Sequence, residues 1–290
     1  MINEGLIRLS IFLGVFAILA VIEVALPRRT EPQDRKHRWL TNLGMSVLNS
    51  AMLRFVLPVA AVGAALWAEE VGWGLFNMVV IDPVVAGIIC FVALDFFIWL
   101  EHWASHKIPF LWHIHKVHHA DPHFDVTTAL RFHPLEIAIS MAWKALLVVL
   151  MGAPVLAVVA FEVVLNAAAM FNHSNIKLPV WADRWLRKVI VTPDMHRIHH
   201  SRIRRETDSN YGFNFPFWDY LFGTYTADPE KGQTGLEIGL TQYAGPEPRQ
   251  LGWSLWLPFA AYFKRERRKP SEAVPRTDAP QDGGKVQGPR

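Results

Sequence analysis

The chain has 290 residues, 51% of them hydrophobic, with a mean hydropathy of +0.17, 12 tryptophans, 18 phenylalanines and a formal net charge of +3. It is too apolar for an ordinary soluble domain, and so small a charge excess, placed mostly beside apolar segments, argues against a nucleic-acid partner. The single cysteine, Cys90, excludes a disulfide framework and a cysteine-based metal cluster.

The first predicted element is an apolar stretch from Leu6 to Leu26, interrupted by Arg8 and Glu23. It is long enough to cross a hydrocarbon core of about 30 Å. Glu4 stands where a signal peptide carries basic residues, and no small-x-small cleavage site precedes Pro27, so the stretch reads as a retained anchor. A second span is expected over Leu43–Ala68 and a third over Pro83–Leu100. The link between the first two carries Arg28, Arg29, Arg35, Lys36 and Arg38, whereas Glu69 to Asp82 has no lysine or arginine. The positive-inside rule then places the basic link in the cytoplasm and the N-terminus outside. Leu135–Met151 and Val155–Phe171, separated only by Gly152, Ala153 and Pro154, predict a membrane hairpin that returns to the side it left.

The histidines carry the chemistry. His-x-x-His-His occurs at His115, His118, His119 and again at His196, His199, His200, and His-x-x-x-His at His102 and His106. With 13 histidines in 290 residues, chance placement gives about 0.03 copies of His-x-x-His-His. On a helix, residues three and four apart share a face, so each box presents its imidazoles together. Eight imidazoles exceed what one ion can use, but suit two ions with about four protein ligands each and positions left open. The spans predict that all three boxes emerge on one face, the cytoplasmic one. From Pro179 to Phe263 the mixed, tryptophan-rich sequence reads as a cap with interfacial helices, and 264–290, rich in Pro, Gly and charge, as a disordered tail.

The boxes HWASH, HKVHH and HRIHH, with the connecting text LWHIHKVHHADPHFDVTTALRFHPLE, FNHSNIKLP, VTPDMHRIHH and TDSNYGFNFPFWDYLFGTY, resemble the fatty acid hydroxylase and sterol desaturase superfamily over about residues 80–228. That resemblance implies an all-α fold: multi-pass membrane helices with a cytoplasmic helical cap that carries a histidine-box di-metal site. It implies residues 1–82 as an N-terminal membrane region, 83–228 as the catalytic domain and 229–263 as a final cap segment. It further implies two iron ions, with zinc able to substitute in purified protein, and oxygen-dependent hydroxylation or desaturation of a sterol-like or fatty acyl lipid. The ligands it implies are His102, His106, His115, His118, His119, His196, His199 and His200, with His173 as a ninth. His133 matches a further family position, with a supporting and a ligating role both open.

Iron suits redox work and zinc does not. Asp95, seven residues before His102 inside an apolar span, is expected to accept a hydrogen bond from a ligand's ring N–H, because a carboxylate at that depth needs a partner. Asn166 stands in the same relation to His173, and Glu101, Asp125, Asp194 and Asp219 are further candidates of this kind. The chain has no G-x-G-x-x-G fingerprint, so electrons are expected from a separate ferredoxin- or cytochrome-type donor with its reductase, docking near Arg202, Arg204 and Arg205. Two other readings compete. A non-catalytic metal-binding or transport protein would place its site at the bilayer midplane, and a zinc hydrolase would have no use for eight ligands.

Overall fold

The computed structural model describes residues 4–30, 35–56 and 61–263; the expected disordered tail, 264–290, lies outside the described residues. Helices account for nearly all regular structure, and among the described residues there is no strand beyond the isolated bridges Pro27–Ile176 and Ser201–Ile238. In chain order the helices are α1 (Glu4–Ala25), α2 (Arg35–Val56), α3 (Ala61–Glu70), α4 (Leu75–Met78), α5 (Pro83–Lys107), α6 (Pro109–His119), α7 (Pro134–Met151), α8 (Val155–Asn172), α9 (Val180–Leu186) and α10 (Pro193–His199). Three short turns, α11 (Arg204–Thr207), α12 (Phe217–Phe222) and α13 (Gly232–Gly235), lead to α14 (Leu251–Phe263).

Among the described residues, four helices are long and apolar enough to cross a membrane: Gly5–Ala25, Pro83–Lys107, Pro134–Met151 and Val155–Asn172. Large apolar side chains of α1 such as Leu6, Leu13, Ile18 and Val21 are exposed, as a lipid-facing surface requires. The second expected span, Leu43–Ala68, takes in parts of α2 and α3 and includes residues 57–60, which lie outside the described residues. α2 carries Arg35, Lys36, Arg38 and Arg54, and it turns Arg38, Thr41, Asn42 and Asn49 into the protein interior, so it is too polar to qualify as a span by itself.

Sequence punctuation sets the helix ends. Asp82 caps α5, its carboxylate accepting from the Val84 and Val85 amides, and Pro83 occupies the first turn, where its missing N–H is not needed. The chain breaks before Pro109, which separates the first two histidine boxes into α5 and α6. Gly152 closes α7 in the left-handed conformation, φ 62°. There the hairpin meets the loop after α3, where Gly74 (φ 101°) passes so close that a Cβ would lie 2.3 Å from the Gly152 amide nitrogen.

α3, α5, α7 and α8 share a core of Cys90, Leu94, Ile98, Leu147, Val158 and Phe161. α1 leans on α8 and α2 on α7. All the ends that carry chemistry meet at one end of this bundle. Glu23 on α1 accepts from the Val126 and Asn175 amides at 2.7 and 2.5 Å, Arg38 on α2 reaches Asp121 at 2.9 Å, and α5 and α8 end at His106 and His173. The Gly74–Gly152 crossing marks the opposite end.

Candidate metal centre

The three boxes and His173 converge, with every imidazole at most 4% exposed. Their donor atoms form two groups. His102, His106, His115, His119 and His199 make one, and His118, His173, His196 and His200 the other, with the donor atoms within each group no more than 4.8 Å apart. Each His-x-x-His-His box is divided between the groups. His115 and His119 go together while His118 crosses over, and His196 and His200 go together while His199 crosses. At 100° per residue, positions four apart differ by about 40°, whereas the intervening third position lies about 100° from its neighbour in the box. A box therefore addresses two points, not the single direction read from spacing.

Partners outside the cluster fix which nitrogen points inward. His102 Nδ1 donates to the Tyr211 carbonyl, His199 Nδ1 to the Ser209 carbonyl and His173 Nδ1 to the Ala169 carbonyl, each at 2.7 Å, and His115 Nδ1 donates to Glu136 at 2.5 Å. His106 Nδ1 lies 3.5 Å from Asp208. Inside, His119 Nε2 and His115 Nε2 are 3.1 Å apart, as are His118 and His173 Nε2, and His196 and His173 Nε2. The buried nitrogens His102 Nε2, His199 Nε2, His118 Nδ1, His196 Nδ1 and both of His200 have no hydrogen-bond partner among the described residues.

This donor set fits metal ions. Bonds of about 2.1 Å at right angles place two nitrogens about 3.0 Å apart, close to the spacing seen. Orphaned buried acceptors are costly unless something occupies them. Burial, and then repulsion from neighbouring rings, holds His118, His119, His196, His199 and His200 far below the usual imidazole range; burial takes His173 to about 3. These rings are neutral at physiological pH, with lone pairs available. Phe132 stacks on His118 at 4.3 Å and Phe124 on His173 at 5.6 Å, closing the centre to water.

Other expected residues fall elsewhere. Asp95 does not reach a histidine; its Oδ2 accepts from Trp218 Nε1 at 2.7 Å. Seven helical residues are about 10 Å of rise, too far below His102 for contact. Asn166 donates to the Glu162 carbonyl one turn away, and His133 caps α7, Nδ1 accepting from Leu135 N and Nε2 donating to the Leu255 carbonyl. With both ring nitrogens engaged by backbone, His133 stands outside the two groups. Asp125 pairs with Arg38, and Asp194 with Arg28 and Arg197. Asp219 gathers Trp99 Nε1, the Tyr211 and Gly212 amides and Thr224 Oγ1, holding the loop whose carbonyl receives His102. Glu136, Asp208, Ser209 and Tyr211 escaped sequence reading, although Glu136 lies within RFHPLE. Arg202, Arg204 and Arg205 pair with Glu237, Asp208 and Glu230, so the expected docking patch is of mixed charge.

Glu136→Gln removes the charge that orients His115. The expected result is metal affinity weaker by about 10- to 100-fold with the helical fold retained, read by chelator competition and circular dichroism.

A cavity of about 530 Å³ runs from His102 and His115 into the helix bundle between the α1–α8 and α2–α7 pairs. Its lining includes Phe12, Asn49, Glu101, Phe132, Lys144 and Phe213.

The fatty acid hydroxylase family model matches residues 87–224, which include all nine clustered histidines. That region, just under half of the chain, is similar to the fatty acid hydroxylase family. The ornithine lipid hydroxylase OlsE of Rhizobium tropici is 26% identical over 91% of this chain and 80% of its own length. Human alkylglycerol monooxygenase is 27% identical over 59% of this chain but only 38% of its own length. A very-long-chain aldehyde decarbonylase, GL1-5 of Oryza sativa subsp. indica, is 26% identical over 66% of this chain and 30% of its own. No solved structure gives a significant match. As a fatty acid hydroxylase homologue with four membrane-length helices and a buried histidine cluster, the chain has the make-up of a membrane-bound, oxygen-dependent oxidoreductase acting on lipids. Two walls of its cavity, from α1 and α2, lie outside the family-matched region.

Proposed function

We propose that this chain is a di-iron lipid hydroxylase: it consumes dioxygen, two electrons and two protons, converts a C–H bond to C–OH and releases water. The observation that supports this most directly is the pair of buried histidine groups at the mouth of a membrane-embedded cavity. Iron bound by His102, His106, His115, His119 and His199, and by His118, His173, His196 and His200, would supply the dioxygen chemistry that an unactivated C–H bond requires. His102 and His115 line the cavity, so the five-histidine group is the one a lipid would approach. Positioning by Phe132, Phe213 and the polar residues near them would decide which carbon reacts, since misplacement by about an ångström costs rate heavily. Hydroxylation is favoured over desaturation by the relative that spans most of the chain, which is an ornithine lipid hydroxylase, and a polar lipid is accordingly the expected substrate.

Cytoplasmic placement of the histidine end is supported by Lys36, Arg184, Arg187, Lys188 and Arg202 there, against the uncharged or acidic link from Glu69 to Asp82 at the other end. Arg28, Arg29 and Arg38, part of the same charge bias, also have internal roles, bonding Asp194, the Leu236 carbonyl and Asp121. Electrons would come from a separate ferredoxin- or cytochrome-type protein.

Protein purified anaerobically is expected to hold about two iron ions per chain, with Mössbauer spectra of a coupled pair. Lipid extracts of a deletion strain, set against the complemented strain, should lack a species carrying one extra oxygen atom. Mononuclear iron alone, or unchanged lipids, would refute the reading.

A further inference from the structure

The cavity that leads from the histidine centre is not built for a hydrocarbon chain alone. A purely apolar ligand would leave its carboxylates desolvated without compensation, which is costly at membrane depth. Three of its lining residues hold acceptor oxygens that the protein does not fill. Glu101 takes a hydrogen bond from Ser140 on Oε2, at 3.1 Å, and among the described residues no donor reaches Oε1. Glu136 uses Oε1 for His115, and its buried Oε2 has no partner. Asn49, 8% exposed, donates through Nδ2 to the Phe132 carbonyl, which fixes the amide's orientation because a carbonyl only accepts, and leaves the buried Oδ1 without a donor. The cations of the same cavity are already engaged: Lys144 Nζ bonds Glu162 at 3.0 Å, and Arg8 pairs with that carboxylate too. The unfilled oxygens of Glu101, Glu136 and Asn49 are acceptors beside the histidines, and what would complete them is a ligand that donates.

We infer that the cavity receives a lipid head first, and that the head bears hydrogen-bond donors, hydroxyl or ammonium, which Glu101, with Asn49 and Glu136, recognises beside His102 and His115. This rests on the reading of the chain as a lipid hydroxylase and adds the substrate class: the oxidised carbon lies in or next to the polar head, not far along an acyl chain. The volume, about 530 Å³, is that of a site for a drug-sized ligand, enough for a head and the first part of a chain.

Two matched ligand pairs test it on metal-loaded protein in detergent, without reductant so that nothing turns over: hexadecane-1,2-diol against 1,2-dimethoxyhexadecane, and hexadecylammonium against hexadecyltrimethylammonium. Each pair keeps the chain and the charge of the head and removes its donors; the added methyl bulk is controlled by Glu101→Gln, which alters the acceptor and not the ligand. The expected result by titration calorimetry is a preference of at least about tenfold for the donor in one pair or both, and which pair shows it tells a hydroxyl head from an amine head. Glu101→Gln should cut that preference to below about threefold while metal content stays at the wild-type level. Equal binding within both pairs, or a preference unchanged in Glu101→Gln, would overturn the inference. The pairs decide on the unaltered protein even if the variant fails to load metal. Protein that holds iron and oxidises lipid without any donor preference fails this inference alone, whereas absence of iron fails the hydroxylase reading.

Discussion

His118→Ala is expected to give a folded, membrane-inserted protein with about half the normal metal and no detectable lipid oxidation. His118 belongs to the four-histidine group, where its Nε2 stands 3.1 Å from His173 Nε2 and its ring is stacked on Phe132. Removing it leaves three imidazoles on that side and a void beside the ring of Phe132, while the five nitrogens of the other group keep their partners in Tyr211, Ser209 and Glu136. Three ligands hold an ion more weakly and leave an extra position open to water. His133→Ala is the matched control. It loses a helix cap, worth about 1 kcal/mol, but no nitrogen from either group, and metal content should stay at the wild-type level. Metal analysis per chain beside an oxidation assay separates the two variants. Oxidation by His118→Ala, or loss of metal in His133→Ala, would contradict the ligand assignment.

Eight of the nine converging histidines were legible as box spacing, because positions three and four apart share a helical surface, whereas His173 was expected from the resemblance alone. The division of each box between two groups was not legible, since it depends on where α5, α6, α8 and α10 come to rest against one another. Backbone acceptors such as the Tyr211, Ser209 and Ala169 carbonyls leave no mark in a sequence, because every residue has one. Asp95 was misplaced for a related reason. The seven-residue interval to His102 gives a shared face but also two turns of rise, and the carboxylate finds Trp218 at its own level. The membrane helices were readable where they are uniformly apolar, as in α1, α5, α7 and α8. α2 is less uniformly apolar, because several of its polar residues, such as Asn42, are buried against Asp121 and Thr127 and not turned to lipid. Glu23, which looked like an interruption of the first span, instead ties α1 to the loops on either side of the histidines.

Arg38→Ala should destabilise the protein more than any change outside the histidines. Arg38, Asp121 and Asp125 are wholly buried, and the guanidinium bonds both carboxylates, reaching Asp121 at 2.9 Å. Asn42 bridges onward, donating to Asp121 at 3.0 Å and accepting from Arg131 at 2.9 Å, and Arg131 also donates to the Val117 carbonyl and Ser254. This network lies behind α6 and anchors the segment that joins it to α7, so it seats His115, His118 and His119 from the side away from the metal centre. Deleting the shared cation leaves two buried carboxylates with too few donors, which costs about 3–5 kcal/mol. In detergent the midpoint of thermal unfolding should fall by on the order of 10 °C. The same network predicts the acid limit. Burial alone would raise the Asp121 pKa, but Arg38, Arg131 and the Asn42 amide outweigh it and hold the carboxyl below its ordinary value of 3.8. A carboxylate depressed on folding contributes stability that is complete above its unfolded pKa and is lost as pH falls through the folded one. Wild-type protein should therefore lose this contribution only below about pH 4, and Arg38→Ala, which lacks the ion pair, should show less of that acid-dependent loss. Adding Asp121→Asn to Arg38→Ala removes one stranded charge and should recover part of the midpoint. No recovery in that double variant would mean that Arg38 acts by filling space and not by charge.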